Sequence, residues 1–95
     1  MEKFAPKYTP LFPKRASELP DDINKKLQKS LLLLLENPYH PSLQCHKVLG
    51  SKGDYGGDIF EAYVDRKYRL TWEYAEKGYI MLRNVDNHDE CLKNP

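Results

Sequence analysis

The sequence contains no long hydrophobic run and no apolar segment near its first methionine. Its longest apolar stretch is the five leucines at residues 31–35, whereas a membrane-spanning helix needs about 20 apolar residues. Residues 1–13 are polar and interrupted by prolines, without the apolar centre of a secretory signal. We therefore expect a cytoplasmic protein with no membrane partner.

Cysteine and excess charge are also scarce. Cys45 and Cys91 fit neither a disulfide framework nor a C-x-x-C motif, so we expect two reduced, apolar-packing thiols. Fifteen Lys and Arg against fourteen Asp and Glu give a formal net charge of +1. A protein that coats nucleic acid regardless of its sequence needs a large excess of basic residues. The near balance of charges argues against that class of protein. A small local cluster of positive charge remains compatible with it.

Apolar periodicity predicts a helix in the first half of the chain. Leucine and isoleucine recur at helical steps from residue 19 to residue 35, and Asn37-Pro38 ends the pattern. Before it, Thr9-Pro10 predicts a turn or short helix. Residues 3–8 could form a short strand, which Pro6 would restrict to a sheet edge.

From residue 59 onward the apolar pattern has a period of two. It predicts strands at residues 59–64, 68–74 and 79–85, joined by turns at 65–67 and 76–78. Residues 45–49 look extended, and residues 50–57 form a glycine-rich loop. This order predicts a single α+β domain over residues 1–95. One or two N-terminal helices would pack on one face of a mainly antiparallel sheet of about four strands.

The polar side chains of the last two strands share one face. The apolar half of residues 68–74 must face the helix, which leaves Arg69 on a face expected to be open to solvent. Arg83 on the next strand shares that face, and two neighbouring guanidiniums could grip a phosphate. The alternative is that they pair with Glu61 and Glu73 across strands.

The order of several short motifs is distinctive. "LPDDI" leads through "LLENPYHPSLQCHKVLG" and a glycine loop to "FEAYVDRKYRLTWEY", and "YIMLRNVDNHDECLKNP" follows. Over roughly residues 8–92 this order resembles the RelE/ParE superfamily of small toxins. The resemblance implies an endoribonuclease that cuts mRNA on the ribosome by attack of a 2′-OH, with no metal or small-molecule cofactor. It also implies a cognate antitoxin as partner.

The resemblance further implies which residues do the chemistry. His88 aligns with a C-terminal catalytic histidine that acts as general acid or base. Arg69, in "YRL", aligns with the strand arginine that holds the scissile phosphate. His46 and Lys47, in "HKVLG", lie where several members place an acid–base or phosphate-contacting group.

Further candidates come from position on the strands and near the C-terminus. Arg83 is a possible second cation on the open face, Asp89 could orient His88, and Glu61 lies where other members carry lysine or histidine. Basic side chains expected to contact RNA are Lys47, Lys52, Arg66 and Lys67.

Other readings stay open. The ParE branch shares the fold but inhibits DNA gyrase without RNA chemistry, and a degenerate member would only bind its antitoxin. His88 could be an exposed bystander and Glu61 a simple ion-pair partner. Cys45-His46 with His88-x-x-Cys91 supplies the ligand types of a zinc site. Adjacent Cys-His is poor spacing for one ion, so no metal is expected.

Overall fold

The computed structural model describes residues 3–95, which form a five-stranded sheet with two helices on one face. The elements in chain order are β1 (Ala5–Tyr8), α1 (Leu11–Ser17), α2 (Asp21–Glu36), a 3₁₀ turn (Pro41–Leu43), β2 (His46–Lys52), β3 (Asp58–Tyr63), β4 (Tyr68–Tyr74), β5 (Tyr79–Asn87) and α3 (His88–Lys93). The strand order is β1-β5-β4-β3-β2, and β1 is parallel to β5 while the other neighbours are antiparallel. The predicted α+β class is confirmed.

The long helix α2 forms for the reasons visible in the sequence. Ile23, Leu27, Leu31 and Leu34 make one buried stripe, and burying each such side chain stabilises the fold by about 1.5–3 kcal/mol. Leu32 is 71% exposed, so the run of five leucines is buried on one side only. The stripe packs on the apolar half of the sheet, which includes Leu70, Trp72, Ile80, Leu82 and Val85.

The sheet has five strands rather than about four because β1 is added at its edge. Residues 5–8 pair in parallel with β5, from Ala5 opposite Tyr79 to Tyr8 opposite Leu82. Pro6 lies within this edge strand, where a missing backbone N–H is tolerated. Among residues 3–95 no helix has both the length and the apolar character needed to cross a bilayer.

A bulge in β5 changes which side chains share a face. Thr71 pairs with Asn84, and the next pair is Trp72 with Leu82, so Arg83 is the extra residue between them. Strict alternation from Leu82 would have put Asn84 toward the helices; the bulge puts Val85 there instead. The apolar packing of β5 therefore continues past Leu82 with its phase shifted by one residue.

The second face of the sheet is not open, contrary to expectation, because α3 lies across part of it. The side chain of Asn87 caps α3 by accepting a hydrogen bond from the N–H of Glu90 at 3.0 Å. Cys91 is completely buried, with Sγ 3.6 Å from the carbonyl oxygen of Arg69. The carbonyl of Asn94 then accepts from the side chain of Asn84 at 2.9 Å.

Candidate functional site

The centre of the candidate site is the carboxylate of Glu61, a completely buried acid in β3. His46 of β2 pairs directly opposite it, with Nε2 3.0 Å from Oε1. His88, the first residue of α3, places Nδ1 3.4 Å from Oε2. Two imidazoles from distant parts of the chain therefore meet at one carboxylate.

The contacts of the Glu61 carboxylate are mainly electrostatic. Within residues 3–95 neither oxygen has a hydrogen bond of good geometry, although both imidazoles lie at ion-pair distance. A buried carboxylate costs several kcal/mol unless opposite charge compensates it. The guanidinium of Arg69, with Nε 3.9 Å from Oε1, supplies such a charge.

Arg69 is fixed in β4 by three contacts. Its Nη1 donates to the carbonyl oxygens of Asp65 at 2.6 Å and Tyr68 at 3.1 Å. Its guanidinium lies over the ring of Tyr63, with Cζ 3.6 Å from the ring centre. Only 7% of the residue is exposed, so Arg69 presents an edge, rather than its whole fork, to an incoming group.

Two adjoining cavities meet at His88. One, of about 400 Å³, is lined by Arg66, Lys67, Arg69, Asn87, His88 and Asp89. The other, of about 370 Å³, is lined by His46, Lys47, Val48, Leu49, Ser51, Glu61, His88 and Leu92. The imidazole of His88 thus stands between a basic cavity and the cavity that contains His46.

Arg83 does not join this site. Its Nη1 lies 2.5 Å from Oε2 of the buried Glu73 and 3.4 Å from Oδ2 of Asp54, and its Nε donates to the carbonyl of Pro95 at 3.0 Å. The expectation of two guanidiniums at one phosphate is therefore corrected. The alternative, in which the arginines pair with Glu61 and Glu73, matches the structure.

The remaining predicted site residues lie at the protein surface. Asp89 is exposed in the first turn of α3, where its charge suits the helix dipole. Glu61, rather than Asp89, contacts His88. Lys47 and Lys52 both pair with Asp58, at 3.3 and 2.8 Å, and these ammonium groups lower the pKa of Asp58.

The basic residues predicted to contact RNA lie beside different cavities. Arg66 and Lys67 are exposed beside the Arg69 cavity, where a phosphate chain could reach them. Lys52 lines a different cavity, of about 540 Å³, together with Arg83. Of the basic residues assigned to RNA contact, Lys52 is therefore the one placed away from His88.

The structure does not assemble the four candidate zinc ligands. Cys45 lines a groove with Phe60 and Trp72, on the helix side of the sheet. Burial, and then the charge of Glu61, raises the pKa of the Cys91 thiol to about 12. In the described part of the chain no three His, Cys, Asp or Glu side chains are arranged to hold a metal ion.

Two contributors to the site were missed from sequence. Tyr63 supports Arg69. The carbonyl of Gln44 lies 3.1 Å from Nδ1 of His46. Gln44 has a left-handed backbone, φ 46°, which costs a non-glycine residue about 1 kcal/mol. No pattern in the sequence marks either role, although a lone acid between apolar Phe60 and Ala62 does mark Glu61.

Neither a protein-family model nor a curated protein sequence matches this chain. Solved structures do. The E. coli DinJ–YafQ toxin–antitoxin complex matches with a TM-score of 0.70 and 15% identity, covering 93% of this chain and 96% of that chain. The archaeal RelE–RelB complex from Pyrococcus horikoshii OT3 gives 0.70 and 17%, covering 90% and 94%. The YoeB dimer from Staphylococcus aureus gives 0.67 and 13%, covering 90% and 98%.

Proposed function

Because this chain has the RelE/ParE toxin fold that YafQ, RelE and YoeB share, we propose that it is the toxin of a toxin–antitoxin pair and that it cleaves mRNA. The observation that carries the cleavage proposal is the meeting of His46 and His88 at Glu61, beside Arg69. At these identities the similarity itself establishes the fold, so the chemistry rests on the site.

The chemistry of RNA cleavage fits the groups present. Attack of a 2′-OH on the neighbouring phosphate needs a proton acceptor, a proton donor for the departing 5′ oxygen, and positive charge near the phosphorane. Imidazole titrates near neutrality and can serve in either proton role. Arg69 supplies a fixed cation next to His88 in the basic cavity. All three roles can thus be filled from this chain.

The proposed partners follow from the same reasoning. Two of the similar structures are toxins crystallised with DinJ and RelB, which supports a cognate antitoxin for this chain. The proposed substrate is mRNA on the ribosome. Arg66 and Lys67 would contact its phosphates beside His88, where exposed cations attract a polyanion without dictating sequence.

A translating extract provides the test. Added protein should produce cuts in mRNA, mapped by primer extension, and His88→Ala or His46→Ala should slow cutting by roughly 10²–10⁴-fold, the usual contribution of general acid–base catalysis. His40→Asn is the matched control. His40 lies in the 3₁₀ turn, where its Nδ1 accepts the N–H of Ser42 at 3.2 Å, and asparagine can replace that acceptor.

Three results would count against cleavage. Uncut mRNA with wild-type protein would refute it directly. Continued translation with loss of gyrase supercoiling would instead indicate a ParE-like binding protein, and an effect on neither process would indicate a member that only binds its antitoxin. Equal loss in His40→Asn and His88→Ala would show that folding, not chemistry, was measured.

A further inference from the structure

One carboxylate organises the turn between β3 and β4, residues 64–67. Oδ1 of Asp65 accepts the backbone N–H of Lys67 at 2.9 Å and that of Tyr68 at 2.7 Å. An aspartate side chain that accepts from backbone amides two and three residues further along the chain is a common way to fix a turn. The path of the backbone from Asp65 to Tyr68 therefore depends on this single oxygen.

The backbone carbonyls of the same turn hold two residues of the candidate site. The carbonyl oxygen of Asp65 accepts from Nη1 of Arg69 at 2.6 Å. The carbonyl oxygen of Lys67 accepts from the backbone N–H of His88 at 2.9 Å. Because His88 is the first residue of α3, this second bond attaches the start of the helix to the turn. Arg69 and His88 thus share one support, although they belong to different elements.

The packing around Arg69 gives its guanidinium little freedom to compensate for a movement of the turn. Tyr63 pairs opposite Arg69 in β3, and its ring centre lies 3.6 Å from Cζ of the arginine. Only 7% of Arg69 is exposed. A buried donor that loses its acceptor is unfavourable, so a shift of the Asp65 carbonyl would either draw the guanidinium with it or leave Nη1 with a weaker contact. Both results change where the cation lies relative to His88.

From these contacts we propose that Asp65 is a positioning residue, which sets the location of the Arg69 guanidinium relative to the His88 imidazole through the turn. This proposal rests on the ribonuclease function proposed above. Arg69 and His88 both line the basic cavity, and Asp65 acts on that cavity through them. A cation and an imidazole that work on one phosphate must keep a fixed separation, because a displacement of about 1 Å can slow a reaction about 100-fold.

Two substitutions at Asp65 separate the turn from the charge. Asp65→Ala removes the acceptor of both backbone N–H groups, whereas Asp65→Asn keeps an acceptor oxygen and removes only the negative charge. In the translating extract, Asp65→Ala should cut mRNA about 100-fold more slowly than wild type, and Asp65→Asn should cut at a rate close to wild type. Lys26→Ala is the matched control. Nζ of Lys26 lies 3.4 Å from Oδ2 of Asp65, so its loss removes an ion pair and leaves the contacts of Oδ1 in place.

Hydrogen exchange of the His88 amide gives a readout that needs no RNA. Because this N–H is bonded to the Lys67 carbonyl, it should exchange slowly in wild type, in Asp65→Asn and in Lys26→Ala. In Asp65→Ala it should lose that protection, while the amide of Leu70, a completely buried residue of β4, should keep its own. A variant that was merely less stable would exchange faster at Leu70 as well, because global unfolding opens every amide.

The side chain of Arg69 can be followed in the same samples by NMR. Since the Arg69 guanidinium lies over the Tyr63 ring, the ring current shifts the proton signals of the arginine from their ordinary positions. Asp65→Ala should move these signals toward ordinary values, and Asp65→Asn should leave them in place.

The proposed function and the positioning role can fail separately. Wild-type protein that leaves mRNA uncut would overturn the function, while hydrogen exchange and NMR would still decide whether Asp65 holds Arg69 and His88 in place. Cleavage by wild type with equal loss in Asp65→Ala and Asp65→Asn would overturn the positioning role alone. Slow exchange of His88 and unmoved Arg69 signals in Asp65→Ala would overturn it too. Slower cutting by Asp65→Ala only, with Leu70 still protected, would support both.

Discussion

Arg83→Ala tests whether this arginine is part of the fold or part of the site. Glu73 is completely buried, and its carboxylate accepts the backbone N–H groups of Asp54 at 3.0 Å and Tyr55 at 3.1 Å besides contacting Arg83. A side chain on Gly53 would overlap this carboxylate. The pair therefore fixes the loop between β2 and β3, and removing Arg83 would leave a buried anion with two amide partners.

The expected loss of stability can be estimated. Breaking a buried ion pair by removing one partner costs about 3–5 kcal/mol. The Arg83 side chain is 17% exposed and the amide contacts of Glu73 remain, so the lower end, about 3 kcal/mol, applies. That is a large share of the roughly 5–15 kcal/mol typical of a domain this size. With a urea m-value of about 1–3 kcal/mol/M, the midpoint should fall by about 1–3 M.

Urea unfolding followed by tryptophan fluorescence measures this loss. Trp72 is the single tryptophan and is 1% exposed in the core, so its emission reports global unfolding. Arg15→Ala is the control. Its guanidinium lies 3.4 Å from Glu18 on the surface, with 37% and 52% of the two side chains exposed, and such pairs contribute less than about 1 kcal/mol.

Two results would refute this reasoning. Equal midpoints for Arg83→Ala and Arg15→Ala would mean that burial adds nothing to the Glu73 pair. Normal stability of Arg83→Ala with lost RNA cleavage would place Arg83 at the phosphate after all. Partial recovery of stability in Arg83→Met combined with Glu73→Gln would support the ion-pair interpretation, because no buried charge is then left unpaired.

Two further predictions concern titrating groups. Since the pKa of the Cys91 thiol is raised to about 12, only about one part in 10⁴ is thiolate at pH 8; iodoacetamide should modify Cys45 first and Cys91 only on unfolding, and equal rates by mass spectrometry would contradict this. Burial alone would raise the pKa of Asp65, but two backbone N–H groups of its turn and Lys26 hold it below its usual value. The stability from Asp65 should therefore be present above the unfolded carboxyl pKa and disappear as pH falls through the folded one. Asp65→Asn should be less stable than wild type at pH 7 and nearly equal to it near pH 2, as measured by urea unfolding at both values.

Sequence patterns correctly predicted the elements that depend mainly on residues close together in the chain. The alternation of residues 68–74 gave β4 with its bounds, and Asn37-Pro38 ended α2 where expected. Helix α3 was missed because six residues are too few for a period to show. A signal was nevertheless present, since Asn87 followed by Asp89 and Glu90 is a typical helix start.

Long-range geometry explains the other differences. The parallel pairing of β1 with β5 joins segments far apart in sequence, and nothing local specifies it. The bulge at Arg83 depends on how β4 and β5 fit together, so counting by twos along β5 could not detect it. For the same reason the sequence could name His46, Glu61 and His88 as candidates but could not show that both histidines meet at the carboxylate of Glu61.

The position of β2 at the outside of the sheet has a consequence for the site. It pairs with β3 through His46 and Lys47, and its register is then irregular until Lys52. Outer strands fray more readily than central ones because fewer contacts hold them. Fraying at this end would release His46 while His88 and Glu61 stayed in place. The molecule would then remain folded without His46 beside Glu61, and if the proposed cleavage uses His46, its rate would depend on this local opening as well as on the stability of the whole domain.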